Sequence, residues 1–144
     1  MDEFPLQWRW TDEQHCILSH EELCQIQPLF PDYAKEIWDS SLNFIDQDAH
    51  FSPNSERFDS IEIIDAIEST TINSWLKAKM ADTHIVVFWQ PKLAVRMTST
   101  LFAKYWDEFC YPSCDDVFIW PENGAWIIYY AHYEKFFFGK LINE

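Results

Sequence analysis

Hydrophobic and polar residues change rhythm at about Asp82. Before it, apolar positions recur every three or four residues, the period of helices packed on one side. After it they alternate or run in short β-branched and aromatic blocks, as strands do. A short alternating stretch, LQWRW at 6–10, predicts a strand near the start. Ser19 and Glu22 have the spacing of a capping box, and Leu18 and Leu23 that of a hydrophobic staple. A helix is therefore expected from about His20 to Gln27, with Pro28 and Pro31 punctuating the chain beyond it. In PDYAKEIWDSSLNFI, Ala34, Ile37, Trp38, Ser41 and Ile45 share one helical face. Pro31 suits a first turn, and Asp32 and Glu36 lie near the positive end of the helix dipole, so a helix is expected over 32–44. Residues 46–58 are polar and read as a loop. DSIEIIDAIE (59–68) admits two readings. Its isoleucines suit a strand, but Asp59 and Glu62 have cap spacing and Ile61, Ile64 and Ile67 recur every third residue, so a short helix is preferred. In TTINSWLKAKM, Ile72, Trp75, Leu76 and Met80 have helical spacing.

Beyond Asp82, HIVVFW (84–89) and LAVRMT (93–98) predict a hairpin turning at Gln90, Pro91 and Lys92. STLFAKYWDEFC predicts one continuous helix, capped by Thr98 or Ser99 and stopped by Pro112. VFIWP (117–121) and AWIIYYA (125–131) flank Asn123 and Gly124, a strong hairpin signal, and KFFFGK (135–140) adds a further strand. The expected fold is α+β: a single domain over 1–144, helix-rich in 1–82 and sheet-rich in 83–144, with an antiparallel sheet of about five strands and about four helices.

Charge narrows the function. The chain has 24 acidic and 10 basic residues, a formal net charge of −14. Residues 1–82 hold 17 acids against 5 bases, a surplus of 12 negative charges that concentrates the field in the first part. Such a field repels nucleic acid and anionic membranes and attracts cationic partners. Aromatic residues make up 18% of the chain, more than a core alone requires, so some are expected at a binding surface. MDEFPLQWRW lacks the basic and apolar regions of a signal peptide, and no run is long and apolar enough to span a membrane. A cytoplasmic protein is expected, with Cys16, Cys24, Cys110 and Cys114 reduced.

The densest candidate chemistry lies in YWDEFCYPSCDDVFIW, 105–120. A structural zinc site needs four ligands, and the spacing of Cys110 and Cys114 to Cys16, Cys24, His15, His20 or His132 supplies no recognisable set, so no metal or cofactor is expected. Cys110 at a helix C-terminus, and Cys114 beside Asp115 and Asp116, stand in fields that disfavour a thiolate nucleophile. Asp107 with Asp115 or Asp116 could act as acid and base or hold magnesium, although Asp115 and Asp116, adjacent at the start of a strand, would point to opposite sides and so not share one ion. An alternative reading is thus a small hydrolase or nucleotide-handling enzyme using Asp107, Asp116 and His132. The preferred reading is a binding surface. Asp107 and Glu108 in the last turn of a helix would each cost about 0.3–1 kcal/mol. Unless Lys104 or Arg96 neutralises them, such a cost is consistent with function. Asp107, Glu108, Asp115 and Asp116 are the expected charge donors to a cationic partner, with Tyr111 and Trp120 as anchors. The acidic helices of 20–68 offer a competing face.

The run WDEFCYPSCDDV (106–117), followed by WIIYYAHYE and FFFGK and preceded by IQPL and AKEIW, resembles a pattern in small bacterial proteins. In size, charge and composition the chain also resembles the immunity proteins of bacterial toxin systems. That resemblance implies a cytosolic α+β inhibitor without chemistry of its own. It would occlude the basic cleft of a toxin domain, such as a nuclease or an ADP-ribosyltransferase.

Overall fold

The computed structural model describes Trp10 and residues 18–41, 45–46, 52–53, 58–66, 69–111, 115–121, 126–132 and 134–141. Of the strand expected over 6–10 only Trp10 is described, and it is helical; the turn at Asn123 and Gly124, and Cys16, Pro112 and Cys114 lie outside the described residues. In chain order the elements are α1 (His20–Leu23), β1 (Gln27–Pro28), α2 (Pro31–Ser41), β2 (Ile45–Asp46), β3 (Ser52–Pro53) and β4 (Phe58–Asp65). There follow α3 (Ser69–Met80), β5 (His84–Gln90), β6 (Leu93–Thr98), α4 (Ser99–Lys104), β7 (Val117–Pro121), β8 (Trp126–Ala131) and β9 (Lys135–Leu141).

Seven strands form one antiparallel sheet in the order β1-β6-β5-β7-β8-β9-β4, and β2 pairs with β3 apart from it. The helix-rich and sheet-rich parts of the sequence therefore share a sheet: β1 and β4 come from the first part and form its two ends. The expectation of about five strands omitted these two. β1 is only two residues long and contains Pro28, which an edge strand tolerates.

The segment at β4 corrects the helix preferred for 59–68. It is an eight-residue strand in register with β9, with Ile64 opposite Phe136 and Ile63 opposite Phe137. Alternation sends Ile64 to one core while leaving Ile63 56% exposed on the other face. A three-residue recurrence of isoleucine suits either structure locally; the aromatic strand β9 decides between them.

Both faces of the central strands are buried. On one face Ile85, Val87, Val95, Ile119 and Ile128 pack under α3 and α4, which contribute Ile72, Leu76, Leu101 and Phe102. On the other, Val86, Phe88, Ala94, Phe118 and Tyr129 lie under α2, which buries Ala34 and Trp38. Trp38 meets Phe88 and Phe118 edge-on, at centroid distances of 5.6 and 5.1 Å. The capping box forms as expected: Ser19 Oγ accepts from Glu22 N–H at 3.1 Å, and Glu22 Oε1 accepts from Ser19 N–H at 3.0 Å.

Candidate protein-docking face

The long helix expected after Thr98 is broken. The Thr98 hydroxyl caps α4 by accepting from Leu101 N–H, and α4 ends at Lys104. Tyr105 leaves helical geometry (φ −121°, ψ 26°), and a separate 3-10 turn, Trp106–Glu108, follows. Distant groups hold this break. The Tyr105 hydroxyl lies 3.0 and 2.8 Å from the two Glu22 carboxylate oxygens. Trp10 Nε1 donates to Glu108 O at 3.3 Å, and Trp89 Nε1 to Phe109 O at 2.9 Å. Two indoles thus satisfy carbonyls that a terminating turn leaves open. Asp107 and Glu108 do not stand at the end of a long helix, so the dipole cost expected there does not arise.

The carboxylates chosen from sequence have different surroundings. Asp107 is exposed on the turn. Glu108 is half-buried and accepts from the Tyr111 hydroxyl at 3.2 Å. Asp115 Oδ2 accepts from Tyr111 N–H at 2.9 Å while Asp115 N–H donates to Tyr111 O at 3.0 Å, closing the intervening loop. Asp116 turns to Tyr129 on the α2 side of the sheet. Its Oδ1 accepts from the Tyr129 hydroxyl (2.9 Å) and His132 N–H (3.0 Å) and lies 3.1 Å from His132 Nδ1. Burial pushes the Asp116 pKa up, but hydrogen bonds from the His132 backbone, the His132 ring and Tyr129 outweigh it, leaving the carboxyl below its ordinary value. Asp116 and His132, two of the three groups in the enzyme reading, therefore meet, in an arrangement that ties the start of β7 to the end of β8. Tyr130 is buried above this end, and its pKa is raised first by burial and then by the charges of Cys110, Glu134, Asp115 and Asp116.

Trp120 belongs to another surface. With Leu29, Tyr33, Ile37, Val86, Arg96 and Pro121 it lines a groove of about 350 Å³ between α2 and the sheet. Phe30 immediately before the helix and Tyr33 and Ile37 within it follow at three and four residues, beside the buried Ala34 and Trp38. Phe30 is 84% exposed and Tyr33 54%, both large apolar side chains turned to solvent. Asp32, Glu36 and Asp39 are exposed on the same helix, with Asp39 paired to Lys35 at 2.6 Å. Neither Phe30 nor Tyr33 was singled out from the sequence. The second stripe was legible there, but the Ala34–Trp38 stripe accounts for the helix without it.

Arg96 also lines an adjoining groove of about 450 Å³ with Cys24, Gln25, Gln27, His84, Met97 and Thr98. Cys24 is exposed, 3.7 Å from His20 Nε2, and Cys110 is buried. Among the described residues no group of three His, Cys, Asp or Glu side chains is placed to hold a metal ion, and no helix is long and apolar enough to cross a membrane. Glu22 is held by three donors. The Ser19 backbone N–H, Lys104 Nζ (3.0 Å) and the Tyr105 hydroxyl lower its pKa to about 2. Comparison with protein-family models, curated proteins and solved structures finds no match to this chain.

Proposed function

We propose that the chain is an immunity-type binding protein that docks on a cationic bacterial toxin domain and neutralises it by covering its active cleft. The observation that carries this reading is the solvent-facing pair of Phe30, just before α2, and Tyr33 in its first turn, beside the Trp120 groove and Asp32 and Glu36. Large exposed aromatics next to a preformed groove have the composition of an interface hot spot. The net charge of −14 supplies the steering: it speeds encounter with a basic domain and weakens as salt screens it. A toxin that binds a polyanion, as nucleases do, has such a basic cleft. Anchoring falls to the α2 face and Trp120. Asp107, Glu108, Asp115 and Asp116 contribute field, three of them while bound to neighbours within the chain. Inhibition by occlusion needs no bond made or broken and no cofactor.

The test is co-expression with the product of the adjacent gene. That product is expected to arrest growth alone and to be held harmless in a stable complex with this chain. Phe30→Ala and Tyr33→Ala are each expected to weaken the complex at least about 30-fold, the cost of a truncated hot spot, with the thermal midpoint of the free chain unchanged. A harmless neighbour, toxicity that the chain does not relieve, or full protection by the double variant overturns the proposal.

A further inference from the structure

The sheet ends at β4, and among the described residues no strand pairs with its outer edge. Ala66 N–H donates to Glu134 O at 2.8 Å, continuing the β4–β9 register. Hydrogen-bonded and non-bonded pairs alternate along an antiparallel ladder, so Ile64 and Glu62 exchange their bonds with β9. Ile61, Ile63 and Asp65 then aim their N–H and C=O groups outward, away from β9. We propose that this edge is a strand-addition site for an extended basic segment of another protein, which pairs antiparallel with β4 as an eighth strand.

Side chains and charge select that occupant. Ile63, 56% exposed, offers an apolar contact on one side of the edge. Asp65 and Glu62 place carboxylates on the two sides, each already within reach of a lysine of the same chain: Lys135 at 3.8 Å and Lys79 at 2.5 Å. A second copy would bring another −14 charges and the same acidic strand, and like charges across a ladder oppose pairing. A segment with Lys or Arg opposite Asp65 and Glu62 and an apolar residue opposite Ile63 meets every group. This site is five strands from β6 and is independent of the α2 face, so the two proposals fail separately.

The probe is a fluorescein-labelled peptide with Lys opposite Asp65 and Glu62 and Val opposite Ile63 and Ile61, titrated by anisotropy against the full chain. Amide exchange is followed at the same time. The Ile61, Ile63 and Asp65 amides are expected to exchange fast in the free chain and at least about tenfold slower with peptide. N-methylating the peptide amides that face β4 is expected to weaken binding by at least about tenfold at unchanged charge, because ladder bonds are lost. Equal binding of the methylated peptide, slow exchange of the three amides in the free chain at every concentration, or protection that grows with chain concentration alone overturns the proposal. The last outcome assigns the edge to a second copy.

Discussion

Replacing Trp38 with Ala is expected to remove most of what fastens α2 to the sheet. The side chain is 9% exposed and lies edge-on to Phe88 and Phe118. An indole buried to this extent withdraws roughly 200 Å² from water, or about 5 kcal/mol at 25 cal/mol per Å². That is an upper bound, since an unfolded chain already covers part of it. Measured Trp-to-Ala truncations in cores give about 3–5 kcal/mol, against a total stability of about 5–15 kcal/mol for a domain. Among the described side chains of α2 nothing else compensates: Ala34 contributes one methyl group, Ile37 is only partly buried, and an eleven-residue helix does not persist alone in water. Urea unfolding followed by circular dichroism should give a loss of about 3–5 kcal/mol, and amide protection in α2 should collapse before that of β5 and β8, which α3 and α4 still cover from the other face. Trp38→Phe, which keeps a ring on Phe118, should cost less than half as much. A loss below about 1 kcal/mol, or α2 amides as protected as before, refutes the packing argument, because neither fits a ring that fills the interface. The variant should also weaken the proposed docking, since Tyr33 is on the same helix and Phe30 immediately precedes it.

Two further outcomes follow from the acids. Glu22 has a folded pKa of about 2 against an ordinary 4.5, so its contribution is complete above about pH 4.5 and is lost as pH falls toward 2. Glu22→Gln should flatten that part of the acid-unfolding curve, and an unchanged curve would mean that the contacts with Ser19, Lys104 and Tyr105 are not held in solution. Asp116→Asn keeps an oxygen for Tyr129 and His132 but loses the charge; because the carboxylate is about half exposed, the cost at pH 7 should stay below about 1 kcal/mol and vanish in acid, where the wild-type carboxyl is itself protonated. A larger loss in thermal midpoint at pH 3 than at pH 7 would contradict that sign.

What could be read from the sequence tracks how far away the deciding contact lies. The cap of α1 is settled by Ser19 and Glu22 within one turn, and both were visible. The β5–β6 hairpin and strands β7, β8 and β9 were visible because β-branched and aromatic runs commit to strand wherever they pack. Residues 58–65 were not, because FDSIEIID satisfies two periodicities and its choice is made by β9, more than 70 residues on. The helix after Thr98 was overextended for a similar reason: nothing within STLFAKYWDEFC stops it at Lys104. The stop comes from Glu22 on Tyr105 and from the indoles of Trp10 and Trp89, all far away in sequence.

The same dependence on distance separates the acids that hold the fold from those left exposed to solvent. From sequence, Asp115 and Asp116 look like the more prominent pair, yet Asp115 closes its loop onto Tyr111 and Asp116 joins β7 to Tyr129 and His132. Reversing both to Lys would remove acceptors from two backbone N–H groups as well as changing the field, so a slower association could report damaged folding. Asp107, exposed on its turn, and Asp32, exposed in the first turn of α2, change the field with less structural consequence. If electrostatic steering governs encounter, Asp107→Lys should slow association without altering the thermal midpoint, Asp32→Lys should slow it while also lowering the midpoint slightly because it puts a cation at the positive end of α2, and both rate effects should shrink as salt rises. Dissociation, governed by the close contacts of Phe30, Tyr33 and Trp120, should hardly respond to either.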